Sequence, residues 1–116
     1  MPIFITQGRY THAAVRGMTE NAEDRAEAVA DLYRRAGGRL LAFYITFGEY
    51  DWLSIAEMPD SQADLAALIA GASKGAVSDL KTTLAVTPEE FARACAAAAG
   101  LAPDFEAAGF GRTEPP

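Results

Sequence analysis

Six side chains in this sequence have the types and positions that chemistry could use: Tyr10, His12, Tyr44, Trp52, Lys81 and Cys95. His12 is the sole histidine. An imidazole exchanges protons near neutral pH, which makes His12 the candidate catalytic acid–base. The plainer reading is a solvated histidine in a polar loop. A metal role is weaker still, because one histidine without a second ligand at helical spacing makes a poor cation site. Tyr10, Tyr44 and Trp52 carry rings that would either stack on a planar ligand or pack across a protein interface. Lys81 offers a charge for an anionic ligand group, or for pairing with Asp79 or an acid of a partner chain. Tyr10, Tyr44, Trp52 and Lys81 are therefore the candidate ligand-binding set around His12. Cys95 lies among alanines of a predicted helix, where a thiol is expected to act as a small buried hydrophobe. As the only cysteine it can form no disulfide within the chain.

Other site chemistries are missing from the pattern. There is no glycine-rich phosphate loop, Ser-His-Asp arrangement, zinc spacing or nucleic-acid module, and no cofactor is implied. The segment Gly71-Ala72-Ser73-Lys74-Gly75 ends a predicted helix, where the dipole has the wrong sign for an anion. A net charge of −6 opposes non-specific binding to nucleic acid or to anionic lipid. No apolar run reaches the roughly 18–20 residues that span a bilayer. The N-terminus, Met1-Pro2-Ile3-Phe4-Ile5, enters a strand pattern without a basic leader, so a cytoplasmic location is expected.

The elements that must position these residues follow from periodicity. Alternation predicts strands over about 2–10, 39–47, 51–58 and 77–86. Residues 11–20, including His12 and Gly17, read as a polar connection. A helix is expected from an Asn21 N-cap to Gly37-Gly38, with Ala22, Ala26, Val29, Leu32, Tyr33 and Ala36 as its apolar stripe. A second helix, capped by Asp60 or Ser61 and closed by Gly75, should bury Leu65, Leu68, Ile69 and Ala72. Thr87-Pro88-Glu89-Glu90 is a capping box for a third, running to about Ala99. A three-residue turn, Gly48-Glu49-Tyr50, would put the richer apolar sets of its flanking strands on one face.

This order gives an α+β fold, a ferredoxin-like β-α-β-β-α-β sandwich with an extra C-terminal helix. Residues 1–102 form the domain and 103–116 a loose tail, with Phe105 or Phe110 to dock it. By parity, the sheet face away from the helices carries Phe4, Thr6, Tyr10, Tyr44, Thr46, Trp52, Ser54, Ala56, Lys81 and Thr83. So large an aromatic patch calls for a partner, and a second copy of the sheet is the natural one.

The chain resembles the GYD domain family. The resemblance rests on Gly48-Glu49-Tyr50-Asp51 between two strands, flanked by Tyr10-Thr11, Gly37-Gly38, Tyr44, Glu57 with Pro59-Asp60, and Glu89-Glu90-Phe91. It extends over about residues 2–92 and departs from the pattern at Ala13 and Ala14, a region that often holds a glycine. It implies a bacterial, dimeric α+β barrel without a settled activity. Asp51 and Tyr50 themselves read first as turn residues, the carboxylate accepting backbone N–H groups.

Two functions follow as expectations. One is a small-molecule binding protein or cofactor-independent small enzyme, with a cavity between the sheet face and its dimer partner for a planar or acidic metabolite. The other is a non-catalytic interaction or regulatory module whose sheet face serves only dimerisation. A higher oligomer joined through sheet edges is a third, lesser reading.

Overall fold

A computed structural model describes residues 1–109; residues 110–116, which include Phe110 and the end of the expected tail, lie outside the described part. The chain forms two compact units, Met1–Ala85 and a second beginning at Val86. The first contains β1 (Ile3–Tyr10), α1 (His12–Glu20), α2 (Ala26–Arg35), β2 (Arg39–Ile45), β3 (Trp52–Glu57), α3 (Ser61–Ala72) and β4 (Val77–Ala85). The second contains α4 (Pro88–Leu101) and a short 3-10 turn, Ala102–Asp104. The four strands make one antiparallel sheet in the order β2-β3-β1-β4.

Several local signals act as their residue types require. Asp60 accepts the Ala63 N–H at 2.8 Å and starts α3. Thr87 and Glu90 form the reciprocal capping box of α4, with bonds of 3.1 and 3.2 Å. Gly37, at φ +94°, closes α2 in the left-handed conformation.

The segment expected as a polar connection is instead helix α1, capped by Thr11, whose hydroxyl oxygen accepts the Ala14 N–H at 3.2 Å. Thr11 followed by Ala13-Ala14-Val15-Arg16 is a helix-start signal that Gly17 masks. Asn21 ends α1 rather than starting α2. Cys95 is exposed rather than buried, as is every residue of α4.

The hairpin joining β2 to β3 pairs Ile45 with Trp52 and bonds the Thr46 N–H to Asp51 O at 2.9 Å. Its tip is therefore Phe47-Gly48-Glu49-Tyr50, four residues rather than three. Thr46 belongs to this loop, its hydroxyl donating to Tyr50 O at 2.7 Å.

That one-residue change, with the register of β1, reverses much of the expected assignment of faces. Phe4 pairs with Ala56, Thr6 with Ser54 and Gly8 with Trp52. These residues point at α2 and α3: Phe4, Tyr33, Ala56, Met58 and Ala67 form the core, backed by Val29, Leu32, Ala36, Leu40 and Ala63. Phe4, Thr6, Trp52, Ser54 and Ala56 are thus buried beneath helices, not displayed on the opposite face. In α3 the buried positions are Asp64 and Ala67, whereas Leu65 and Ile69 are exposed. Apolar residues surround α3, so its stripe is ambiguous in sequence. The small side chains Ala63, Ala67 and Gly71 select the inward side.

The other face carries no helix of this unit. Ile5 pairs with Ile55 and Thr83, and Gln7 with Leu53 and Lys81. Tyr44 and Ala42 of β2 stand opposite Leu53 and Ile55. Tyr44, Lys81 and Thr83 occupy the expected face. Its centre is aliphatic instead of aromatic.

Candidate functional site

Between the helix-covered face of the sheet and helices α1, α2 and α3 lies a cavity of about 540 Å³. Its walls include Tyr10, Tyr33, Phe43 and Trp52. A half-open, largely apolar pocket of this size is a binding-site candidate.

Each wall has a local cause. Gly8 opposes Trp52 in the ladder, and a Cβ there would collide with the indole and lie 2.8 Å from Leu80. A missing side chain thus makes room for the largest one. The Phe43 and Trp52 ring centroids are 6.2 Å apart with planes inclined by 34°. On β4, Asp79 has φ 54° and lies within a register shift that sets two residues against Gly8. The bulge turns Leu80 and Val77, three positions apart, toward the same cavity. Above it rests α1, which contributes Ala14, Gly17 and Met18 and buries no residue of its own.

The polar groups are sparse. The Trp52 indole N–H is buried without an acceptor. Burial raises the Tyr10 pKa, Arg25 acts against that rise, and Asp51 and Glu23 add to it. Arg25 and Glu23 on the cavity wall pair at 3.4 Å. Below the cavity, Tyr33 Oη and Ser54 Oγ share a hydrogen bond of 3.0 Å, and the Thr6 and Thr82 hydroxyls one of 2.9 Å. Asp64 is 2% exposed and its Oδ1 has no partner; desolvation raises its pKa.

Of the residues singled out by type, the structure brings Tyr10 and Trp52 together at the cavity. Tyr44 and Lys81 lie across the sheet from them, both exposed. His12 begins α1, exposed and outside the cavity walls. The cavity residues missed in sequence come from α1 and from the β4 bulge, and Asp79 carried no strand-breaking signal strong enough to reveal the latter.

Beside the cavity, the hairpin is fastened to the end of β1. The Tyr10 N–H donates to Asp51 Oδ2 at 2.9 Å, and the Asp51 N–H donates to Gly8 O at 2.9 Å. Arg9 Nε donates to Glu49 O at 2.8 Å, and its guanidinium lies 5.4 Å from the Tyr50 ring centroid. The GYD domain family model matches residues 4–95, around these contacts. The chain belongs to the GYD domain family. In this GYD domain the aspartate of Gly48-Glu49-Tyr50-Asp51 is a backbone clamp that joins two segments 41 residues apart.

Among characterised relatives, a Thermus thermophilus protein described as a glutamine synthetase and cystathionine beta-lyase binding protein is 31% identical over 80 residues. The match covers 69% of this GYD domain chain and 84% of that protein. The crystal structure of FFRP-DM1 has a similar fold, with a TM-score of 0.50 at 16% identity over 74% of this chain and 100% of its own. A crystal structure of TTHA0845 from Thermus thermophilus superposes with a TM-score of 0.47 at 17% identity, over 75% and 95% of the two chains. Among the described residues, no helix is long and apolar enough to cross a membrane.

Proposed function

We propose that this GYD domain is a non-catalytic protein-interaction module that assembles as a homodimer, in the manner of ferredoxin-like dimeric α+β barrels. The observation that carries this reading is the composition of the two sheet faces. The face that carries no helix of the Met1–Ala85 unit is the more aliphatic one, with Ile5 and Ile55 at its centre and Ile3 and Leu53 in the rows on either side. Arg39 and Glu57, joined at 3.2 Å, mark one end and Gln7 with Lys81 the other. An apolar centre inside a polar rim is the anatomy of a protein interface. The description of the Thermus relative supports the wider role, and enzymes of the two kinds it names are the partners we assign to the assembled module.

Native mass spectrometry and light scattering test the assembly. A dimer is expected, and Ile5→Asp or Ile55→Asp should yield a folded monomer, because a charge would have to be buried unpaired. A monomeric wild type, or a dimer indifferent to both variants, overturns the reading. Interferometry against purified glutamine synthetase and cystathionine beta-lyase from the same organism tests the partners, and absence of binding to both removes that assignment.

A second reading, ligand binding, is favoured by the cavity. It places the ligand between the helices and the sheet, with Tyr10 and Trp52 in contact. Tyr44 and Lys81 would then serve the assembly face.

A further inference from the structure

We infer that the cavity beneath α1 is a site for a small aromatic carboxylate. The inference deepens the ligand-binding reading and rests on it. Three observations converge. First, helix α1 buries nothing, although Ala14 and Met18 on one side of it face the protein. That side lies over a half-open pocket of about 540 Å³. An amphipathic helix gains its stability by covering apolar groups, and α1 covers the apolar pocket with Ala14 and Met18.

Second, the void is edged by rings. Phe43 and Trp52 are tilted against one another, and Tyr10 adds a third surface. Rings in this arrangement favour a flat apolar body through offset or edge-to-face contact. The Trp52 indole N–H is buried without an acceptor, so the wall around this ring is short of polar partners.

Third, the charges at the wall do not cancel. Arg25 is paired with Glu23. Lys74 also borders the cavity and has no ion pair among the described residues, in a chain whose net charge is −6. A free ammonium on an aliphatic stem, at the edge of an apolar chamber, suits one carboxylate at the end of an apolar body. The volume falls within the roughly 300–1,000 Å³ of small-ligand sites.

The test uses the full chain and its own reporter, since Trp52 is the only tryptophan. Titration with 4-phenylbutyrate should give a saturable change in Trp52 emission. The matched alcohol, 4-phenyl-1-butanol, should bind about tenfold more weakly, as expected when one charge-assisted contact is lost. Lys74→Met keeps the stem and should erase that preference. Gly71→Leu fills the chamber from α3, and Ala14→Phe fills it from α1. Either should abolish the emission change while the oligomeric state and the melting temperature are retained. No saturable response to acid or alcohol up to about 10 mM overturns the site and the ligand reading together. Equal affinity for acid and alcohol overturns the carboxylate assignment alone. An undiminished response in a folded cavity-filled variant shows binding elsewhere and overturns the location. None of these variants touches the open sheet face, so the dimer reading stands or falls separately.

Discussion

The two faces of the sheet differ in a way that inverts the usual expectation. The face beneath α2 and α3 includes the buried hydroxyls of Thr6 and Ser54, the latter bonded to Tyr33 of α2, with Asp64 of α3 buried nearby. The face that carries no helix of the Met1–Ala85 unit is built around isoleucine and leucine. Helix coverage and hydrophobicity are therefore separate properties here. An aliphatic face that its own unit leaves without a helix calls for a cover from outside that unit, whereas a helix-covered face can tolerate hydroxyls because they satisfy one another.

The sharpest way to break this comparison is at Gly8. Gly8→Val forces a side chain into Trp52 and Leu80 and should lower folding stability by at least about 3 kcal/mol, read from urea unfolding. Ile5→Ser, in the same strand but on the opposite face, should act mainly on dimer dissociation. Equal loss of monomer stability in both would show that the faces are not energetically distinct.

Next in size is the clamp. Asp51→Ala strands the Tyr10 N–H and should cost about 1–3 kcal/mol, while Asp51→Asn, which keeps an acceptor, should recover most of it. Chemical denaturation of the pair decides, and equal losses would mean that charge, not the hydrogen bond, matters there.

Asp64 sharpens the covered face through pH. Its folded pKa is raised above the ordinary 3.8 by burial, so the folded state binds the proton more tightly than the unfolded chain. Stability present below that value is lost as pH rises toward the raised folded value, and it stays lower above it. Asp64→Asn should flatten this dependence and stabilise the protein at pH 7 by about 1 kcal/mol. A steeper acid-side slope in the variant would contradict the burial account.

The smallest effect belongs to the polar edge of the open face. Glu57→Gln should change stability by less than about 1 kcal/mol, with what remains weakened by salt, because Arg39 is largely exposed. A larger effect on dimer affinity would move this pair from the rim into the interface centre.

Much of the fold was legible because local signals agreed: alternation in four strands, Asp60 and Thr87 as caps, and glycines at helix ends. The failures have a common cause. Parity divides a strand into two faces but does not say which one the helices cover, and the isoleucines of β1 and β3 argued for the wrong one. Trp52 and Tyr10 line a cavity on the helix-covered side rather than on the open face where parity put them. Their grouping with Tyr44 and Lys81 fails, because it depends on hairpin register and on a loop one residue longer than expected. The cavity was illegible for a different reason: it needs α1, whose glycine disguised a helix, and the bulge at Asp79.

That bulge makes β4 a strand with two phases. Counting residues alternately from Ala85 gives the correct side as far as Leu80; counting from Val77 gives it for the opposite end; the two counts disagree by one at Asp79. A single-residue deletion there would leave Leu80 and Val77 two positions apart, so unbroken alternation would keep both on the chamber side and preserve the pairs Arg9–Ser78 and Tyr10–Val77. What the extra residue adds is therefore Asp79 itself, held at φ 54° with its carboxylate 4.0 Å from the Arg9 guanidinium, and not the side on which β4 meets the chamber.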